Sequence, residues 1–329
     1  MRRALLVVTL VACGKKSPPP PEITGLAAVP ASAQVVIAID LPRVVDSPLV
    51  ERAAEQLLAR DPQLAKRWAS FTDSCKIDLR KQVKRLVVAV GPHATNAPQT
   101  GPMLVVATGT LAEAELSACV RAMVGQGGGA VNATTANGRT LYEASDVGRT
   151  MYFGFGRADT VVFGSDAAFV TEALGPGKKI SEDGDVKAWL GLVDQNAPAW
   201  AIGRVDERVR AGLVRVTDKQ LGAGPTAFVV AFDPTKGARV DLGAVMANAG
   251  DAKTLESFAN NQLALLGMAA QAKRLMPVVD KVKISVDGSV VRFRVDLDVD
   301  DINLLVSALD GGPPPAQDSA PAGSAGSGK

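Results

Sequence analysis

The sequence contains a single histidine and few aromatic side chains. His93 lies in a segment rich in Pro, Asn and Thr, and Phe, Trp and Tyr together make up 4% of the 329 residues. Histidine is the usual general base near neutral pH and the commonest metal ligand, and the chain has no Gly-x-Ser-x-Gly elbow. These absences argue against Ser–His–Asp catalysis and a zinc site. We predict no metal and no cofactor, and we interpret His93 as an exposed loop residue.

The chain also lacks a net charge of either sign. Lys and Arg number 36 and Asp and Glu number 34, and without Arg2 and Arg3 the two counts are equal. A nucleic-acid-binding protein needs a basic face, and the one basic cluster, "RKQVKR" at residues 80–85, is predicted to be a solvated turn before a strand. We therefore expect no nucleic acid among the partners. The hydrophobic content of 47% is sufficient for a core.

A long apolar run is missing from the N-terminus, where a short one occurs instead. Arg2 and Arg3 precede Ala4–Ala12, an apolar run of about nine residues. As a helix it would span roughly 14 Å, whereas the hydrocarbon core of a bilayer is about 30 Å thick. A basic start followed by a short apolar run is typical of a secretory signal peptide, which we assign to residues 1–12.

The apolar run ends in Leu10-Val11-Ala12-Cys13, which resembles the lipobox of bacterial lipoproteins. The resemblance implies that Cys13 receives a diacylglycerol, that the signal is cut just before it, and that the new amino group is acylated. Gly14 follows, rather than the Asp that favours inner-membrane retention in enterobacterial members. We therefore expect a lipid-anchored protein of the bacterial cell envelope, at the outer membrane and facing the periplasm or the cell surface. An ordinary signal with a chance cysteine and a free N-terminal helix are the alternatives.

Three cysteines are an odd number for a secreted protein. If Cys13 carries lipid, then Cys75 and Cys119 remain, and an oxidising envelope compartment favours a disulfide between them. Two buried free thiols are the alternative.

Two series of predicted elements run in the same order along the chain. Each opens with an apolar strand, Ala33–Leu41 in the first series and Ala197–Val205 in the second. A helix, two strands, another helix, a hairpin and a final helix follow in both series, with one extra hairpin in the first. The dipeptides Asn137-Gly138 and Asp287-Gly288 mark two-residue hairpin turns.

This order predicts an α+β fold made of two similar halves that arose by internal duplication. Each half is expected to be a mainly antiparallel sheet with helices packed on one face. We assign the halves to residues 28–177 and 197–310, with a linker at 178–196. The lipidated cysteine and a Pro-rich spacer occupy residues 13–27, and a tail of Pro, Gly, Ala and Ser at 311–329 is predicted to be disordered.

An acidic cluster and one single carboxylate are candidate sites. The spacing of Asp296, Asp298 and Asp300 fits part of a calcium loop, but Asp301 stands where the loop needs Gly and Ser307 where it needs Glu. The alternation of Asp296 and Asp298 with apolar residues predicts a solvated strand face instead, with Asp300 capping the next helix.

The other carboxylate, Asp40, follows the first strand. It is a weak candidate for binding a ligand, and no other residue remains a candidate. The alternative to ligand binding is that Asp40 caps the turn ahead of Pro42.

A second resemblance concerns the mature chain. Its opening, "VPASAQVVIAIDL", and the later segment Cys75–Leu79 loosely resemble uncharacterised myxobacterial-type lipoproteins. That resemblance implies secretion and lipidation but no activity. We predict a non-enzymatic binding or scaffolding role, with an unknown protein or envelope ligand as partner and the membrane reached through the N-terminal lipid. The alternative is an envelope hydrolase or transferase that uses unidentified carboxylates in a cleft between the halves.

Overall fold

The computed structural model describes residues 23–75, 77–92, 101–217, 220–272 and 275–309. Within them, twelve strands form one antiparallel sheet. In chain order the strands are β1 Val35–Asp40, β2 Val83–Val90, β3 Met103–Gly109, β4 Ala130–Ala136, β5 Arg139–Asp146, β6 Arg149–Phe155, β7 Thr160–Gly164, β8 Ala199–Arg204, β9 Ala227–Asp233, β10 Ala238–Val245, β11 Lys283–Asp287 and β12 Val290–Leu297.

Eleven α-helices connect the strands within the same residues. They are α1 Leu41–Val45, α2 Pro48–Arg60, α3 Pro62–Cys75, α4 Leu79–Gln82, α5 Glu113–Gln126, α6 Ala167–Leu174, α7 Gly184–Leu190, α8 Glu207–Val216, α9 Ala249–Ala272, α10 Met276–Val279 and α11 Val299–Leu309. The sheet and these helices confirm the predicted α+β class.

The sheet is continuous across the middle of the chain, whereas the sequence predicted a separate sheet in each half. Its strand order is β11-β12-β10-β9-β8-β1-β2-β3-β7-β6-β5-β4. The two strands that open the predicted halves, β1 and β8, pair antiparallel, with Ile37 opposite Ala201. Pairing satisfies the backbone groups that each strand would otherwise expose at an edge, so two sheets merge into one.

One face of the sheet, here called the first face, carries the main core. Cross-strand partners share a face, and the register places Val36, Ala89, Ile202 and Val229 side by side on it. Each of these side chains is at most 1% exposed. They pack against α6, α7 and two 3-10 turns, at Gly25–Ala28 and Ile180–Glu182. Within residues 178–196, Ile180, Val186, Trp189 and Val193 are buried in this core.

The opposite face, here called the second face, is covered by helices near both ends of the sheet. Leu116 and Cys119 of α5 pack on the strands of the first half. Leu255 of α9 packs near Val291 of β12 in the second half. Helices therefore lie on both faces, not on one as predicted, because the central strands are apolar on both sides.

On the first face, β10 and β12 carry charged side chains instead of a core. Asp241 accepts hydrogen bonds from Arg292 at 3.2 Å and from Arg294 at 2.8 Å, and Arg239 pairs with Asp296 at 3.0 Å. The predicted solvated strand face is confirmed for Asp296, but the prediction was wrong for Asp298, because β12 ends at Leu297. Because oppositely charged side chains pair across neighbouring strands and remain accessible to water, this face does not need a covering helix.

Helix α11 begins after a cap that differs from the one predicted. Asp298, not Asp300, accepts the backbone N–H groups of Asp300 and Asp301, and Lys281 contacts the carboxylates of both Asp298 and Asp301. The Asp301 N–H, followed by Lys281, lowers the pKa of Asp298 from 3.8 to about 2.

This cap predicts a specific acid sensitivity. A carboxylate whose folded pKa is depressed stabilises the fold above its unfolded pKa, and this contribution is lost as the pH falls through the folded value. We expect the wild-type free energy of unfolding to fall more steeply between pH 3.8 and about pH 2 than that of Asp298→Asn. Urea denaturation across this range measures both, and equal slopes would contradict the assignment.

Candidate functional site: an apolar strip on the second face

The four central strands β2, β1, β8 and β9 place only apolar side chains on the second face. The register aligns Val88, Ile37, Ala201 and Val230 across them. We call this surface the central strip and define it as Val35, Ile37, Ile39, Val88, Val90, Ala199, Ala201, Phe228, Val230 and Phe232. With about 3.4 Å per residue and 4.8 Å between strands, it measures roughly 17 by 14 Å.

The strip is much less buried than the other side of the same strands. All ten of its side chains are half-buried, whereas Val36 and Val229, which alternate with them, are 0% exposed on the first face. Apolar surface that stays in contact with water loses the stabilisation of burial, about 25 cal/mol per Å². Contiguous exposed apolar surface of this kind marks an interaction site more often than it is incidental.

Three helices of the structure also expose apolar side chains. In α2 and α8 no residue is fully buried, and Leu57 of α2 and Val216 of α8 are 56% and 63% exposed. The outer part of α9 exposes Leu265 and Met268 by 54% and 65%. An amphipathic helix ordinarily buries its apolar face. These helices therefore retain apolar area in contact with water.

The chemistry of the strip is that of a hydrocarbon surface. Its ten positions carry no hydroxyl, amide or ionisable side chain, so they offer neither a general acid nor a general base. The neighbouring second-face positions Leu242 of β10 and Val105 of β3 are also apolar and half-buried. Such a surface binds by apolar burial and provides no side chain that discriminates polar groups.

The residues singled out from the sequence do not meet at the strip. Asp40 ends β1 opposite Arg85, with its side chain on the first face. It occupies the N-cap position of α1, but its carboxylate makes no capping hydrogen bond. Cys13 and His93 lie outside the described residues.

The two remaining cysteines are joined by a disulfide. The Cα atoms of Cys75 and Cys119 are 4.9 Å apart, and the bond links the end of α3 to α5. Cys119 is buried and Cys75 is half-buried. This pair therefore fastens α3 to α5 and to the core of the first half.

Two surface depressions lie away from the strip. One, of about 580 Å³, is lined by α6 and the β4–β5 turn. The other, of about 570 Å³, lies between α9 and α10. Each contains a single carboxylate among its described lining residues, Glu172 and Asp280 respectively. Neither brings together the two carboxylates that the hydrolase alternative requires.

One buried cation near the first depression has a structural explanation. Lys179 is 7% exposed, and its ammonium donates to the carbonyls of Glu172 at 2.7 Å and Ala173 at 2.9 Å, at the end of α6. Burial lowers the pKa of Lys179, and the nearby carboxylates of Glu172 and Glu182 oppose that shift. Lysine at a helix C-terminus satisfies carbonyls that have no partner within the helix.

No protein family, curated protein or solved structure matches this chain. Among the described residues, none of the helices has the length and apolar content that crossing a membrane requires. The same residues contain no group of three or more side chains suited to holding a metal ion. The site therefore has to be interpreted from its own chemistry.

Sequence reasoning missed the central strip. The runs that form β1, β2 and β9 are apolar without alternation, which predicts strands buried on both sides. Burial of the second face depends on which helices cover it, and helices from distant parts of the chain decide that. The only signal in the sequence was that apolar and polar residues do not alternate along the central strands, while the amphipathic helices have too little apolar surface to pack against.

Proposed function

We propose that this chain is a lipid-anchored protein of the bacterial cell envelope that acts by binding, not by catalysis. Its ligand is an apolar hydrocarbon chain, such as the acyl chain of a lipid, held on the central strip. The observation that carries the proposal is the half-buried state of all ten apolar strip residues, whereas first-face neighbours such as Val36 and Val229 are 0% exposed.

Apolar burial alone is sufficient to drive such binding. Each methylene removed from water contributes about 0.8 kcal/mol, so about ten methylenes on a strip of this length contribute roughly 8 kcal/mol before the cost of association. The lipobox at Leu10–Cys13 supports the envelope location, where acyl chains are abundant.

The same proposal includes an origin by duplication. Counted outward from the central pair, the strands of the two halves occupy equivalent positions in the sheet: β1, β2, β3, β7 and β6 on one side, and β8, β9, β10, β12 and β11 on the other. The β4–β5 hairpin is the addition in the first half. Helix α5 follows β3 as α9 follows β10, and α6 follows β7 as α11 follows β12. What this order supports is a pseudo-twofold axis between β1 and β8, which passes through the central strip.

Binding can be measured with a fluorescent fatty acid such as cis-parinaric acid. We expect the probe to become fluorescent on the full chain and to bind with a micromolar Kd. Ala201→Glu places a carboxylate in the middle of the strip, where an apolar ligand cannot compensate it. We expect that variant to bind the probe at least about tenfold more weakly.

The matched control is Ala158→Glu, which adds the same charge at an exposed position between β6 and β7. It should bind the probe like the wild type, and circular dichroism should show that both variants are folded. The proposal is wrong if the probe shows no increase in fluorescence with the wild type, or if the two variants bind it equally well.

A further inference from the structure

The sheet ends in a strand that has none of the usual protection of an edge. Strand β4 (Ala130–Ala136) hydrogen-bonds only with β5 among the described residues. In an antiparallel ladder alternate residues direct their backbone N–H and C=O away from the partner, so the outer side of β4 presents unpaired groups. Five of its seven side chains are exposed and two are half-buried.

The sequence of β4 is unusual for an exposed edge. Natural edge strands avoid further pairing by means of Lys, other charges, Pro or a short length, and "AVNATTA" contains neither a charged residue nor a proline. The opposite edge, β11, differs in charge and in length. It has five residues, begins at Lys283 and ends at Asp287. Only the β4 edge is therefore open to the addition of another strand.

Two proline-rich stretches of this chain outside the described residues are poor candidates for that strand. Residues 17–22 read "SPPPPE" and residues 311–315 read "GGPPP", and proline has no N–H to donate to a ladder. A second copy of β4 suits the edge better. Antiparallel self-pairing centred on Ala133 places Ala130 opposite Ala136, Val131 opposite Thr135 and Asn132 opposite Thr134, with small side chains and no opposed like charges.

We propose that the β4 edge is a self-association surface, through which two copies pair antiparallel about a twofold axis at Ala133 and join their sheets. A closed twofold contact uses the same strand from both copies and leaves no open edge for further growth. The contact is built mainly from backbone hydrogen bonds and small side chains. We expect a weak, reversible dimer, because one strand pair buries less area than a standard interface of about 1,600 Å².

Cysteine cross-linking of the full chain tests the pairing directly. In an antiparallel pair, facing Cα atoms are about 4.5–5.5 Å apart, a separation that a disulfide can bridge. We expect Ala133→Cys to give a covalent dimer under mild oxidation. The matched control is Ser285→Cys, at an exposed position of the other edge strand, and it should remain monomeric. Equal cross-linking at both positions, or none at residue 133, would overturn the proposal.

Charge exchange at the axis tests the register without cysteine chemistry. Ala133→Lys and Ala133→Glu each oppose two like charges in the dimer, and sedimentation should show the dimer Kd weakened about fivefold or more in each case. Mixing the two variants opposes unlike charges and should restore association. A dimer that forms equally in all these samples uses another surface, and that result would also overturn the proposal.

Discussion

Replacing both Cys75 and Cys119 by serine is expected to lower the free energy of unfolding by about 4 kcal/mol. The cross-link joins residues 44 positions apart, and closing a loop of that length in the unfolded chain accounts for this figure in the chain-entropy description. Guanidinium denaturation of the oxidised wild type and of the double serine variant measures the difference.

The loss of stability should appear first in the helical segment α2–α3. No residue of α2 is fully buried, and the disulfide ties the last residue of α3 to α5. Local stability follows the number of buried contacts, so α2–α3 has little else to hold it. We expect limited proteolysis to cut within residues 48–75 faster in the double serine variant, while cleavage in the core strands β1 and β8 stays slow.

Reduction provides the internal control for this prediction. Adding reductant should destabilise the wild type and leave the double serine variant unchanged, because the variant has no bond to break. Thiol labelling without reductant should find Cys75 and Cys119 blocked in the wild type. Free thiols there, or equal denaturation midpoints for the oxidised wild type and the variant, would contradict the disulfide.

Local signals in the sequence were sufficient for much of the fold. The dipeptides Asn137-Gly138 and Asp287-Gly288 predicted hairpin turns, and both glycines have positive φ, 74° and 58°, as such turns require. Helix α2 begins at Pro48, and Ser47 caps it by accepting from the Val50 N–H. Each of these features depends on residues within a few positions of one another, so one stretch of sequence contains the whole cause.

Non-local pairing was not accessible in the same way. The apolar pattern of β1 and β8 predicts two buried strands but does not say that each is the other's neighbour across more than 160 residues of chain. A register is set by which strands meet and not by either strand alone. The merging of two predicted sheets into one, and the position of the strip at their boundary, could therefore be learned only from the structure.

The charged residues illustrate the same limit at one site. The alternation along β12 indicates that Arg292 and Arg294 share a face, and the strand register shows that they do. The alternation could not identify Asp241 of β10 as their common partner. Likewise, the acidic run after β12 predicted a helix cap, but only the geometry shows that Asp298 holds it.

Cys13→Ser is expected to move the protein from the membrane fraction to the soluble fraction. Several acyl chains give stable anchoring, whereas a single chain binds only marginally, so losing the acylated cysteine removes the whole anchor. The apolar run before it, at roughly 14 Å as a helix, is too short to replace the lipid. Fractionation after alkaline washing measures the shift, and mass spectrometry of the wild type should show acyl mass on the peptide that begins at Cys13.

The matched control for the anchor is Lys16→Ser, which changes the same segment without touching the lipidation site. It should stay with the membrane, because two lysines attract anionic head groups by only about 1 kcal/mol each. Release of both variants would mean that charge, not lipid, holds the chain. Unmodified wild-type protein starting at Met1 would contradict the anchor and the envelope location. The ligand binding proposed for the central strip would be unaffected by either result, because the strip is formed by residues of β1, β2, β8 and β9.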